Sequence, residues 1–169
     1  MPSFSDLYEA YQHMVYNLCL HYLQNRQDAE EAAQDIFVKI HQKLPGFKEK
    51  SSPKTWVYRI AIYHCLDVLK ARKRQKRFAI FKTLFSSDTE TPAPLTSFDH
   101  PGVQLEDREA LEQLFRDIDR LPAQQKTALI LRHLDELPQR DIAAIMGLSE
   151  KAVEALLHRA RQQLKKKDK

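Results

Sequence analysis

Gln139-Arg140-Asp141-Ile142-Ala143-Ala144-Ile145-Met146-Gly147-Leu148-Ser149-Glu150-Lys151-Ala152-Val153-Glu154-Ala155-Leu156-Leu157 is the stretch whose reading decides the fold. Ile142 and Ala143 belong to a short helix, where the small Ala143 lets a second helix approach closely. Met146-Gly147-Leu148 is a turn, and Gly147 supplies a positive φ without steric cost. Ser149 is placed to cap the second helix. Val153 and Leu156 then set its angle against the first. The pattern is that of a helix-turn-helix. A glycine-turned helical hairpin of any all-helical protein shares part of it. What separates the two is the continuation, where His158, Arg159, Arg161, Lys165, Lys166 and Lys167 carry phosphate-binding side chains along the second helix.

Upstream of this motif the helical spacing continues. Leu111, Leu114, Phe115, Ile118 and Leu121 make one stripe, stopped at Leu121-Pro122. Ala128, Leu131 and Leu134 make another, and Leu137-Pro138 opens the short helix of the motif. Farther back, Thr83–Gly102 has Ser86-Ser87, three prolines (Pro92, Pro94, Pro101) and no periodicity, which predicts a flexible linker. Ahead of it lie three amphipathic helices. Leu7, Tyr11, Met14, Val15, Leu18 and Tyr22 mark the first. Ala29, Ala32, Ala33, Ile36, Phe37 and Ile40 mark the second, with Asp28 as its expected cap and Pro45-Gly46 as its stop. The third follows Ser51-Ser52-Pro53 and runs through Trp56, Val57, Ile60, Ala61 and Cys65.

Composition agrees with helices alone. The 169 residues include only three glycines, and no Asn-Gly or Asp-Gly pair is present to turn a hairpin. The expected fold is all-α, with two small helical domains at 1–82 and 105–169 joined by a flexible linker at 83–104. The net charge of +4 is mild, but its distribution is not. Leu66–Lys82 holds seven Lys/Arg against Asp67, and Leu148–Lys169 holds seven against three acids. Between them Asp99–Arg120 carries seven acids and three arginines. Two basic ends separated by an acidic stretch predict two contacts with one polyanion.

Other chemistries find little footing. Cys19 and Cys65 form no Cys-x-x-Cys pair, and with His21 and His64 they do not complete a four-ligand metal set. Adjacent acids such as Glu30-Glu31 and Asp135-Glu136 point to different sides of a helix, which argues against a catalytic carboxylate pair. Neither an apolar leader nor a long apolar run is visible. The expectations are no metal, no cofactor, no small-molecule substrate, no bond chemistry and a cytoplasmic location. A free-standing dimeric helix-turn-helix repressor or activator remains the alternative, although no leftover apolar stripe offers a dimer surface.

Asp28-Ala29-Glu30-Glu31, Gln34-Asp35-Ile36-Phe37, Thr55-Trp56-Val57-Tyr58-Arg59-Ile60-Ala61 and Leu66-Asp67 with Leu69 closely resemble the second conserved region of extracytoplasmic-function (group IV) RNA polymerase sigma factors. Leu121-Pro122 with Leu131-Arg132, Asp141-Ile142-Ala143 and Leu157-His158-Arg159-Ala160-Arg161 resemble their fourth region. The resemblance implies a three-to-four-helix region 2 that binds core polymerase and recognises and melts the minus-10 element. It further implies a helix-turn-helix region 4 for the minus-35 element. The implied partners are core polymerase, through its β′ and β subunits, promoter DNA and an anti-sigma factor.

Onto this chain the resemblance places polymerase contacts at Asp28, Glu31, Gln34, Asp35, Phe37 and Lys39. It places minus-10 capture in the loop Phe47–Lys54, where Lys48, Lys50 and Lys54 supply charge and Phe47 and Trp56 stacking faces. The helical spacing of Trp56 with Ile60 favours a packing role for that ring. Arg59, Tyr63, Lys70, Arg72, Lys73 and Arg74 follow along the same helix, and the basic run is expected at backbone phosphates. The minus-35 set is Ser149, Glu150, Lys151, Glu154, His158, Arg159, Arg161 and Lys165. Two departures stand out. Tyr63 replaces a frequent asparagine, and the cations usual at Glu154 and Leu156 are missing.

Overall fold

The computed structural model describes residues 1–85, 98–99 and 107–166. Helix α1 spans Phe4–Leu23 and begins with a reciprocal cap, in which Ser3 Oγ accepts from the Asp6 N–H and the Asp6 carboxylate accepts from the Ser3 N–H. It stops where Gln24 turns left-handed, at φ 58°. Helix α2 spans Arg26–Lys43, and its cap is Asn25, not the expected Asp28. Asn25 Oδ1 accepts from the Asp28 N–H at 3.0 Å, which leaves the Asp28 carboxylate in the first turn, where the helix dipole favours an anion. A 3-10 turn at Leu44–Gly46 leads to α3, Pro53–Phe85, opened by Ser52 Oγ accepting from the Thr55 N–H and by proline in the first turn.

Helix α3 is 33 residues long, or about 50 Å, and so outruns the bundle. It crosses the expected domain end at residue 82 and continues to Phe85, because nothing between Phe78 and Phe85 is glycine or proline. Apart from residues 83–85, 98 and 99, the expected linker 83–104 lies outside the described residues.

The second block holds α4 (Arg108–Asp119), α5 (Ala123–His133), α6 (Gln139–Met146) and α7 (Glu150–Lys165). Gly147 closes α6 in the left-handed conformation, φ 67°. The Leu148 N–H reaches back to the Ala143 carbonyl at 3.0 Å, as in a Schellman closure. Ser149 caps α7 by accepting from the Ala152 N–H. Among the described residues all regular structure is helical, with one isolated bridge between Asn25 and Asp99.

Leu7, Val15, Leu18 and Tyr22 of α1, Ala29, Ala32, Ile36 and Ile40 of α2, and Val57, Ala61 and Cys65 of α3 close the first core. The apolar cluster then continues into Ala128, Ile130, Leu131, Ile142, Val153 and Leu157 of the second block. A smaller cluster joins Phe115, Ile118, Leu121, Leu129 and Ala160. Two stripe positions depart from expectation: Leu114 and Leu134 are exposed. Leu114 lies at the edge of the inward arc of α4, where Phe115 and Ile118 take the burial, and Leu134 stands just past the end of α5 as its C-terminal cap residue. Helix α5 is instead buried from Gln125 through Leu131, because it has neighbours on both sides.

Candidate nucleic-acid interface

Helix α7 turns Val153, Leu156, Leu157 and Ala160 inward. Ser149, Glu150, Lys151, Glu154, His158, Arg159, Arg161 and Lys165 are all exposed. The register follows from the sequence, since the four apolar positions fall at three- and four-residue spacing. Gln139 Nε2 donates to the Glu150 carbonyl at 2.7 Å and so ties the start of α6 to the start of α7. Arg161 Nη2 lies 3.3 Å from His133 Nε2. Burial, Arg161 and Arg132 all hold His133 below the ordinary imidazole range, which keeps that ring neutral beside the cation.

The expected minus-10 set is divided. Lys48, Lys50 and Lys54 are exposed, as are Lys70, Lys73 and Arg74, and Tyr63 is 68% exposed. Phe47 is not available as a stacking face. It is buried, with its ring 4.7 Å from that of Trp56 and tilted by 33°. The loop has folded its aromatic ring onto α3, because burying a phenyl ring is worth roughly 1.5–3 kcal/mol over leaving it in water. Trp56 is half-buried and packs against the first core, the role its spacing favours. Arg72 is taken by Asp28, Nη2 to Oδ2 at 2.8 Å, so two expected contact residues satisfy each other. Arg59 leaves its own block altogether and donates to the carbonyls of Ala144 and Ile145 on α6.

On α2, Glu31, Gln34 and Asp35 are exposed, and Asp28 is half-buried in its pair with Arg72. Phe37 is buried instead of presented, with edge-on contacts to Tyr8 at 4.8 Å and Phe4 at 6.4 Å between ring centroids. Its place in the apolar stripe with Ile36 and Ile40 accounts for this. Lys39 Nζ is 2.7 Å from His64 Nδ1. His64 is buried, and that burial together with the Lys39 ammonium lowers its pKa, while Asp35 and Asp67 work against the shift. The sequence reading did not single out His64 for this surface. Its position beside Cys65 in the α3 stripe was the available signal.

The cysteines also meet, Sγ to Sγ at 3.7 Å, as two buried free thiols bridging α1 and α3. Among the described residues no group of three or more His, Cys, Asp or Glu side chains is arranged to hold a metal ion. No described helix is long and apolar enough to cross a membrane.

Family models for sigma-70 region 2 and sigma-70 region 4 match residues 7–75 and 111–164. RNA polymerase sigma factor YlaC of Bacillus subtilis is 33% identical over 97% of this chain and 91% of its own length. The ECF RNA polymerase sigma-E factor of Escherichia coli is 30% identical over 98% of this chain and 86% of its own. Two solved structures share the fold at 19% identity. CnrH in complex with the cytosolic domain of CnrY gives a TM-score of 0.63, covering 96% of this chain and 84% of that one. Sigma factor RpoE in complex with the anti-sigma factor NepR, from Bartonella quintana, gives 0.61 with 96% and 94%.

Proposed function

Because the chain belongs to the extracytoplasmic-function sigma factors of the sigma-70 family, we propose that its two helical blocks divide promoter recognition between them. The protein is a sigma factor that binds core RNA polymerase and directs promoter-specific initiation. The relatives support this reading along nearly the whole chain and give no support to a free-standing repressor or activator. Sigma factors are non-enzymatic initiation factors. We assign no bond chemistry to this chain and place it in the bacterial cytoplasm, where core polymerase works. An anti-sigma factor is a further partner, in line with the RpoE–NepR complex.

The assignment of surfaces is ours. Residues 1–82 take the region 2 role, 105–169 the region 4 role and 83–104 the connection. The exposed Glu31, Gln34 and Asp35 edge of α2 is the polymerase contact, with Lys39 behind it. Lys48, Lys50, Lys54, Tyr63, Lys70, Lys73 and Arg74 are the available minus-10 contacts. Tyr63 keeps a stacking face for an unpaired base but has no amide to read its edge. The observation that carries the minus-35 assignment is the outer face of α7, where Glu154 lies between Lys151 and His158 while the apolar positions turn inward.

Glu154 is the unusual residue. Phosphates repel a carboxylate in the major groove, yet it can accept from a cytosine amino group, a pairing worth about 1–3 kcal/mol of discrimination. The experiment is in vitro transcription by core polymerase on promoters randomised in the minus-35 element. Wild type should select promoters, and Glu154→Ala should flatten the preference at one base pair. Arg159→Ala should weaken all sequences alike and lower the salt slope by about one. An unchanged preference profile in Glu154→Ala would remove the carboxylate from base reading.

A further inference from the structure

The end of α1, the middle of α3 and one side of α4 border a cavity of about 450 Å³. That volume falls in the range of roughly 300–1,000 Å³ usual for small-molecule sites. Leu69, Arg72 and Lys76 line it from α3, and Glu112, Arg116 and Asp119 from α4. Each set follows three- and four-residue spacing, which puts it on one face of its helix.

The carboxylates of this wall are already paired. Asp119 has Lys126, and Glu112 Oε1 lies 3.2 Å from Arg108 Nε. The cations are less well matched. Arg72 has Asp28, but Arg116 reaches Glu112 only at 3.8 Å, and Lys76 has no ion pair among the described residues. With Asp28, Arg108 and Lys126 counted as partners, five cations stand against three carboxylates, an excess of two positive charges. Lys76 and Arg116 are exposed, so a solute can reach that excess.

Gln24 adds a directional group to the same wall. It is only 9% exposed, and its Nε2 has no hydrogen-bond partner among the described residues. A buried donor left unpaired is costly, and folded proteins keep few of them. Its backbone is held on both sides. The Gln24 N–H donates to the Leu20 carbonyl at 2.8 Å, and the Gln24 carbonyl accepts from the Asp99 N–H at 3.0 Å. The nearby Tyr22 hydroxyl is already partnered, with Oη 2.6 Å from Thr127 Oγ1.

We propose that this cavity binds a small phosphorylated molecule, a ligand beyond polymerase and promoter. A carboxylate brings one charge on two oxygens. A phosphate monoester brings a charge of about −1.5 to −2 and three strong acceptor oxygens, one for each of Arg72, Lys76 and Arg116. Bare phosphate would leave most of the volume empty and the Leu69 and Phe98 side chains of the wall uncovered, so the phosphoryl group carries an organic body. A hydroxyl or carbonyl oxygen of that body accepts from Gln24 Nε2.

The test is isothermal titration calorimetry on the full chain with inorganic phosphate, adenosine 5′-monophosphate and adenosine. The monophosphate should bind with a Kd below about 1 mM, phosphate roughly 10-fold more weakly, and adenosine not at all. Arg116→Ala and Lys76→Ala should each weaken phosphate and the monophosphate alike, by roughly 10-fold. Gln24→Met should weaken the monophosphate alone. It should leave the urea midpoint of the free protein unchanged, since the lost amide had no partner. A lower midpoint would make Gln24 a residue of the fold and overturn its part in the site. If Gln24→Met does not fold, the two cation variants decide the matter. Absence of binding by both phosphate and the monophosphate overturns the proposal, as does adenosine binding equal to that of the monophosphate. Binding that survives Arg116→Ala but is lost in Lys73→Ala with Arg74→Ala also overturns it, because the phosphate then lies on the outer basic face of α3.

Discussion

The core inside the first block and the seam between the blocks are built differently, although apolar contact runs through both. Inside the first block, Val15, Leu18, Ile36, Ile40 and Val57 are fully buried and meet with few polar groups between them. At the seam the apolar cluster continues, joined there by a phenol and a hydroxyl, an imidazole and a carboxylate, and a guanidinium on two carbonyls. Apolar burial is non-directional and survives small displacements, whereas hydrogen bonds are lost within an ångström but can be replaced by water. The first construction holds a fold together. The second holds two folds in one relation and can release them.

The contrast breaks most visibly at a core residue. Ile36→Ala removes a fully buried side chain from the centre of α2, and losses of this kind run to about 2–5 kcal/mol. In urea unfolding followed by circular dichroism, the midpoint should fall by that equivalent, and core binding should fall with it. If Ile36→Ala unfolds at the wild-type midpoint, the first block is not closed by this stripe.

At the seam the effect should be smaller and different in kind. Thr127→Val leaves the buried Tyr22 hydroxyl without its partner, a loss of about 1–3 kcal/mol in a closed structure. Opening lets water satisfy that hydroxyl, so the apparent loss in global stability should stay near the lower figure. A double-mutant cycle with Tyr22→Phe isolates the pair. A coupling energy indistinguishable from zero would show that the hydroxyls do not act together.

The same division separates what the sequence made legible from what it did not. Periodicity located the first three helices, and Gly147 with Ser149 placed the helix-turn-helix to the residue. These are local signals, satisfied within a few residues of where they are written. Phe37 and Phe47 were expected to face partners and are buried: the stripe with Ile36 and Ile40 already carried the signal for Phe37, whereas the packing of Phe47 on Trp56 is chosen by tertiary contact. Arg59 could be assigned to phosphate from its neighbours in sequence, but not to a carbonyl 86 positions away. The cap of α2 moved from Asp28 to Asn25 because the two residues are equally plausible on paper. Nothing local signalled the seam.

His64 tests polarity buried at the edge of the first core. The neutral ring accepts a hydrogen bond from Lys39, and burial and the ammonium both hold its pKa below the usual 6.5. Because the folded value lies below the unfolded one, the unfolded chain binds more protons between the two. Stability from this group is therefore present above the unfolded value and lost as pH falls through the folded one. The urea midpoint of wild type should drop on acidification from about pH 7.5 to 5.5, and that of His64→Gln should drop less. Equal drops would mean that His64 titrates freely.

The smallest effect belongs to charge left at the surface. On α4, Glu112 stands between Arg108 and Arg116 at four-residue spacing, with Oε1 3.2 Å from Arg108 Nε and Oε2 3.8 Å from Arg116 Nη1. The pair resembles His21–Asp135 on paper, since each joins a base to an acid within 4 Å. The settings differ. Both arginines are half exposed, while the Asp135 side chain is only 7% exposed. In water, Coulomb attraction is offset by solvation and by the entropy of fixing two long side chains, and exposed pairs of this spacing contribute about 0.3–0.5 kcal/mol. Glu112→Gln should therefore shift the urea midpoint barely beyond error at low salt. At 1 M salt, where screening acts within about 3 Å, the shift should vanish. Asp135→Asn at the seam should keep more of its effect in the same salt, because the Asp135 side chain is only 7% exposed and its His21 partner 17%. If both substitutions lose their effects together at high salt, the seam is a surface contact like any other, and the distinction between core and seam reduces to one of degree.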